Sequence, residues 1–248
     1  MQIPKNPRTA SLILKGIVVA AATLGVCLTA RATRDTFMGG GRMFMFFTIQ
    51  SNIAVALLSL WGAVLLLRNR RFGDAWYAVQ FVGTVSITLT GVVFTLILAP
   101  TLSRAAWSAQ NVLTHVVVPL AAVADFFVTG VYGSIRRRSV LYVLLPPLAY
   151  AVYAGIGYAA GWEFLEGIRY PYFFLNWGSP AGAFGFTRGL PFMGCVWWIL
   201  VLLLLLLAVG YGYLGLLSAL KRRVRGGAEP GRGHGFLGKR VRDEERKG

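Results

Sequence analysis

Residues 190–217 read LPFMGCVWWILVLLLLLLAVGYGYLGLL, with leucine unbroken from Leu202 to Leu207 and no charged side chain along the whole stretch. A helix rises about 1.5 Å per residue, so about 20 mostly apolar residues cross a hydrocarbon core about 30 Å thick. This stretch is long enough and is read as a membrane span. Five stretches upstream share its character, at about 11–30, 44–67, 76–98, 107–131 and 140–160. They are continuously apolar and far longer than the short alternating strands of a membrane barrel. The predicted fold class is therefore all-α: an integral membrane bundle of six transmembrane helices occupying residues 1–220 as one domain.

Composition excludes the other classes. Ala, Val, Ile, Leu, Met, Phe, Trp, Tyr and Cys make up 56% of the 248 residues, before 30 glycines are counted, and only 14% are charged. A soluble domain has about 45–50% apolar residues with glycine included and about 25% charged. A soluble enzyme is ruled out on that contrast, and a disordered chain with it. Two cysteines, Cys27 and Cys195, are too few for a disulfide-stapled module. If the ends of the spans holding them touch, a Cys27–Cys195 disulfide is conceivable, but two buried thiols acting as small hydrophobes are the simpler expectation.

The formal charge of +16 belongs to the loops. Basic residues accumulate on the cytoplasmic side of membrane proteins, so nucleic acid is not needed as a partner to explain it. Six spans put both ends on one side, where Lys5, Arg8 and Lys15, the clusters at 68–71 and 136–138 and the C-terminal tail bring nineteen basic residues. The opposite loops hold six: Arg31, Arg34, Arg42, Arg104, Arg169 and Arg188. Both termini are expected in the cytoplasm. Residues 221–248 form a separate basic tail with almost no apolar content, expected to stay disordered and able to meet anionic headgroups through Lys-Arg-Arg-Val-Arg. A competing reading takes residues 1–32 as a cleaved leader, because Ala30-Arg31-Ala32 fits a small-x-small cleavage site.

A polar side chain in hydrocarbon is costly without a partner, so those inside the spans mark packing contacts, wet cavities or sites. Span two opens Phe44-Met-Phe-Phe-Thr48-Ile-Gln-Ser51-Asn52, which sets Thr48, Ser51 and Asn52 on one face. Span four carries Asn111, Thr114 and His115. Both spans run from outside to inside. Thr48 and Asn111 then lie roughly 6 Å below the outer boundary, and Asn52 and His115 roughly 12 Å. Two parallel helices can face a hydroxyl, amides and an imidazole into one pocket. Pro119 has no N–H to give the His115 carbonyl, so a kink is expected beside the histidine. The threonines of span three, Thr84, Thr88 and Thr95, with Gly91, read as packing glue. Asp125 is the one acid deep in a span and is expected to pair with a basic loop residue or cap a neighbouring helix. The outer loop at 161–189 is rich in Trp, Tyr and Phe and reads either as an interfacial belt or as a lid over a lipid-accessible cavity. No cluster suggests a metal ion or a cofactor.

Three segments together resemble bacterial relatives of the androgen-induced, androgen-dependent family of six-span membrane proteins: Phe-Phe-Thr48-Ile-Gln-Ser-Asn52, Asn111-Val-Leu-Thr-His115-Val-Val-Val-Pro119 with Asp125-Phe-Phe, and Tyr170-Pro-Tyr172-Phe-Phe-Leu-Asn176. The resemblance covers residues 11–217. It implies a membrane threonine hydrolase acting on fatty acid esters of hydroxy fatty acids, with catalytic Thr48 and His115, in a bacterial cell membrane. Asn176 departs from the aspartate expected at its place in the motif. In the chemistry so implied, Thr48 attacks the ester carbonyl, His115 is base and then acid, Asn52 stabilises the oxyanion and Asn111 holds the imidazole. The alternative expectation is a non-enzymatic lipid or small-molecule binding or transport protein that uses the same pocket without covalent chemistry.

Overall fold

The structure is a computed structural model and describes residues 3–102 and 104–226; of the tail expected to be disordered from residue 221, residues 221–226 instead continue the last helix, and the rest lies outside the described residues. Six helices are long and apolar enough to cross a membrane: α1 Lys5–Thr33, α2 Phe47–Leu67, α3 Asp74–Thr101, α4 Ala109–Gly130, α5 Ser139–Ala159 and α6 Cys195–Val224. The six predicted spans correspond to them one for one. No strands form among the described residues; two isolated bridges, Leu165 with Ile168 and Phe186 with Met193, tie the outer loop to itself.

Shifts occur at both ends of the spans: α6 runs to Val224, seven residues past its predicted end at 217, and several helix starts move as well. Residues 190–194 are apolar yet belong to the outer loop, because Pro191 has no N–H to give and Phe192 sits at φ 66. Span two was expected from Phe44, but Arg42–Met45 winds as a 3-10 turn and Phe46 is extended, so α2 begins at Phe47. Extended backbone at Ser108 likewise delays α4 to Ala109. These breaks set Thr48 in the first turn of its helix.

Contacts sort the connections to two ends of the bundle. At one end the Arg8 guanidinium donates to Asn69 at 2.5 Å, Lys221 reaches the Gly133 carbonyl at 2.6 Å, and Gly133 lies against the Tyr77 ring. The start of α1, the α2–α3 and α4–α5 connections and the end of α6 therefore meet there, where the basic clusters are. The outer loop and the start of α2 lie at the other end.

Side-chain volume decides what packs. Val18, Ala21 and Ala22 of α1 interlock with Val55, Ile87, Val118, Ala121 and Ala122. A second core joins Phe81, Phe126, Val140, Val143, Leu206 and Leu217, with Phe164 and Phe174 of the outer loop. Gly25 lets α1 approach α4 so closely that a Cβ there would meet the Thr114 methyl at 2.6 Å. Small residues serve this purpose between helices in lipid. The outward faces carry Leu57, Leu60, Trp61 and Leu204, which are solvated by acyl chains rather than by water.

Asp125 corrects the expectation made for it. It pairs with Lys15 of α1, not with a loop, and both side chains are buried. Its carboxylate also accepts from Ser11 at 2.5 Å and from the Gln80 amide at 3.0 Å, while Thr129 bonds the Asp125 carbonyl. Lys15 is thus an interior residue and not one of the loop cations. The same contacts make α1 a member of the six-helix bundle.

The cysteines are both free; Cys195 is buried, while Cys27 is exposed on the outward face of α1, contrary to the expectation of two buried thiols. Along α3, Thr84 and Thr88 bond carbonyls one turn back and Thr88 also meets the Tyr213 hydroxyl at 3.0 Å, while Thr90 joins Ser51 at 3.0 Å. Of these, only the Thr88–Tyr213 and Thr90–Ser51 bonds join α3 to its neighbours; Thr84 bonds within α3 alone and Thr95 is exposed.

Candidate functional site

Thr48 and His115 meet. The Thr48 Oγ1 lies 3.2 Å from His115 Nε2. His115 is buried and Thr48 half-buried. Depth along the helices sets Thr48 level with Asn111 and Asn52 level with His115, yet the histidine ring reaches one turn higher. A helical side chain leans toward the N-terminus of its helix, and His115 folds back over its own preceding turn.

Backbone irregularity gives the ring that freedom. Residues Leu113–Val117 form a π turn, with Val118 N–H reaching back to the Leu113 carbonyl. A second π turn, Phe94–Leu98, faces it from α3. Phe94 stacks on the imidazole at 3.8 Å between centroids and 21° between planes. Pro119 does leave the His115 carbonyl without its helical partner, as expected. That carbonyl then packs against Gly91, where a Cβ would sit 2.8 Å from the oxygen. π turns are rare and gather at functional sites.

The hydrogen bonds fix which ring nitrogen carries the proton. His115 Nδ1 lies 3.0 Å from the Asn111 carbonyl, which can only accept, so Nδ1 is the protonated nitrogen. The Thr114 hydroxyl, itself donating to the Gln110 carbonyl at 2.8 Å, offers Nδ1 a further acceptor at 3.1 Å. Nε2 is left with a lone pair facing the Thr48 hydroxyl. This is the tautomer a general base needs.

Two supporting roles change. Asn52 is fully buried, and both protons of its amide are committed, to the Thr48 carbonyl at 2.8 Å and the Thr114 carbonyl at 3.1 Å. It ties α2 to α4 and has no donor left for an oxyanion; its Oδ1 accepts no hydrogen bond among the described residues. Asn111 orients the imidazole through its carbonyl, while its amide donates to the Ala106 carbonyl at 3.0 Å. Thr48 also lies where helix N–H groups lack intrahelical partners. Its N–H turns instead to the Tyr172 oxygen, 3.4 Å away.

Tyr172 comes from the outer loop, and its hydroxyl also touches the hydroxyls of Thr48 and Tyr150. Burial of this hydroxyl raises its pKa above the ordinary 10.0, so it stays a neutral donor. Tyr150 in turn donates to the Met45 carbonyl at 3.0 Å, holding the turn before α2. The loop's Phe164 and Phe174 are buried and its Trp162 and Phe186 exposed, so it packs partly as a lid and partly as a belt. Asn176 takes no part in the site; its Oδ1 accepts the Gly178 N–H at 3.1 Å in a local turn. In the sequence Tyr172 stands among the loop aromatics and in one of the motifs of the resemblance, without an assigned role. The signal available was its motif, Tyr-Pro-Tyr, but not its aim.

Beside Thr48 a cleft opens between α3, α5 and α6, with Thr48, Tyr150 and Tyr172 on one wall and Leu89, Val93, Pro147, Ile199, Leu202 and Leu203 around the rest. Its lining is almost wholly apolar, with hydroxyls gathered where Thr48 stands. The chain matches no family model, no curated protein and no solved structure.

Proposed function

We propose that the protein is a membrane-embedded hydrolase of fatty acyl esters, with Thr48 as nucleophile and His115 as general base. The observation that carries this reading is the 3.2 Å contact between Thr48 Oγ1 and an Nε2 whose partner nitrogen is committed to the Asn111 carbonyl. A threonine hydroxyl is a weak nucleophile until an adjacent base takes its proton. Thr48 Oγ1 attacks the carbonyl carbon and its proton passes to Nε2. The tetrahedral intermediate then collapses, and Nε2–H protonates the leaving alkoxide. Water, deprotonated by the same nitrogen, releases the fatty acid from Thr48.

The apolar cleft supports a long-chain substrate, since its lining suits an acyl chain and its hydroxyl-bearing wall suits the ester. The reading agrees with the resemblance to the androgen-induced, androgen-dependent family. The site lies at the end opposite the basic clusters; with both termini cytoplasmic in a bacterial cell membrane, it opens toward the outer leaflet. The same apolar lining also favours a second reading, a lipid binder or carrier that makes no covalent bond.

Purified full-length protein offered long-chain branched esters and a fluorophosphonate probe separates the two. Wild-type protein is expected to be labelled and to turn over, with both lost by about 1,000-fold or more in Thr48→Ala and His115→Ala. Saturable lipid binding without product, kept in Thr48→Val, would establish the carrier instead.

A further inference from the structure

We propose that Tyr172 is the oxyanion donor of this site, so that the outer loop completes the catalytic machinery rather than merely covering it. The inference rests on the reading of Thr48 as nucleophile. An acyl-transfer site needs a donor aimed at the place where negative charge develops, within hydrogen-bond reach of the nucleophile.

Proton accounting singles this residue out. Both amide protons of Asn52 are spent on the Thr48 and Thr114 carbonyls. The Thr48 hydroxyl proton faces His115 Nε2, and the Tyr150 hydroxyl proton is held by the Met45 carbonyl. The Thr48 N–H is taken by the Tyr172 oxygen. Of the four hydroxyls lining the cleft, those of Thr48, Thr90, Tyr150 and Tyr172, Thr90 donates to the Ser86 carbonyl at 3.3 Å, and Tyr172 alone has a proton not claimed by a backbone carbonyl or a ring nitrogen. It rests among the neighbouring hydroxyls, where a substrate carbonyl oxygen can displace them.

The ring is held for the task. It stacks on Phe174 at 5.2 Å with planes 8° apart and meets Phe46 edge-on at 6.0 Å. The N–H of Thr48 donating to the phenol oxygen polarises the O–H and strengthens it as a donor. When Thr48 Oγ1 adds to the ester carbon, the carbonyl π electrons move to oxygen and the Tyr172 O–H donates to that oxyanion. On collapse the electrons return to re-form the carbonyl, the alkoxide leaves with the proton from Nε2, and Tyr172 keeps its own proton throughout.

The test uses full-length protein in detergent with p-nitrophenyl decanoate as the ester, a decyl trifluoromethyl ketone as a mimic of the tetrahedral adduct, and the matching methyl ether as a ground-state mimic. Tyr172→Phe is expected to lower kcat by about 100-fold to 1,000-fold with KM little changed. It is also expected to weaken the ketone by a similar factor and to leave ether affinity as in wild type. A rise in KM alone, or equal weakening of ketone and ether, makes Tyr172 a binding or structural residue and overturns the proposal, as does unchanged kcat. If Tyr172→Phe does not accumulate, 2,3,5-trifluorotyrosine at 172 supplies a more acidic donor. Ketone affinity should then rise, and no response overturns the idea. Wild-type turnover by Thr48→Ala would instead remove the hydrolase reading beneath it.

Discussion

Asn52 shows how a single side chain can be legible as important and yet be assigned the wrong task. Its place one turn below Thr48 made it a candidate oxyanion donor, but whether an amide proton is free depends on which carbonyls a second helix brings near. Here α4 brings that of Thr114. The residue therefore holds the nucleophile's helix turn against the base's helix. Replacing it with Asp turns a donor pair into an acceptor facing two carbonyls. Asn52→Asp is expected to lower stability by about 1–3 kcal/mol, since the amide's bonds to the Thr48 and Thr114 carbonyls are lost and the buried carboxyl gains no donor. Thermal unfolding in detergent measures it. An unchanged melting temperature would show that the bridge contributes nothing. Asn111 teaches the same lesson from the other side, acting on the imidazole through a carbonyl that every residue type possesses.

At the scale of the element, the site is built from departures from regular helix. The extended residue Phe46 starts α2 just before Thr48, and the facing π turns of α3 and α4 seat Phe94 and His115 against one another. Gly91 keeps these two helices in register, because its missing side chain is what lets the His115 carbonyl approach. Gly91→Ala would place a Cβ 2.8 Å from that backbone oxygen, which no side-chain rotation can relieve. We expect it to destabilise the bundle by about 1–3 kcal/mol. Displacement of His115 by about 1 Å would lower turnover by about 100-fold. Gly16 of α1 has open space where a Cβ would go, so Gly16→Ala is the matched control and should leave both melting temperature and turnover near wild type. Equal behaviour of the two variants would show that the close approach is not needed.

Across the whole molecule, an ion pair at the interior joins the first helix to the fourth, far along α4 from the histidine. Lys15 and Asp125 have side-chain exposures of 1% and 5%, and Ser11 and Gln80 satisfy further lone pairs of the carboxylate. Removing one partner of such a pair costs roughly 3–5 kcal/mol, whereas removing both can be nearly neutral. Lys15→Met is therefore expected to be strongly destabilising. Lys15→Met with Asp125→Leu should recover most of that loss, as read from a double-mutant cycle of unfolding free energies. Additive effects of the two single changes would mean that the charges do not act as a pair. The pair's role is to hold α1 in place, and α1 in turn packs on the π turn of α4 through Gly25 and Thr114.

The sequence by itself determined the six spans, because hydrocarbon thickness and backbone hydrogen bonding leave an apolar run of about 20 residues little choice but helix. It also marked Thr48 and His115, since a polar group in lipid stands out against its surroundings. Tertiary structure decided the rest. Helix starts moved where a 3-10 turn, an extended residue or a proline interrupted an apolar stretch, which hydropathy does not register. Asp125 found Lys15 110 residues away, and Tyr172 reached Thr48 from 124 residues away. Such partners are chosen by how helices pack and loops fold back, and hydrogen-bond direction depends on distances of a few tenths of an ångström. Local pattern carries neither.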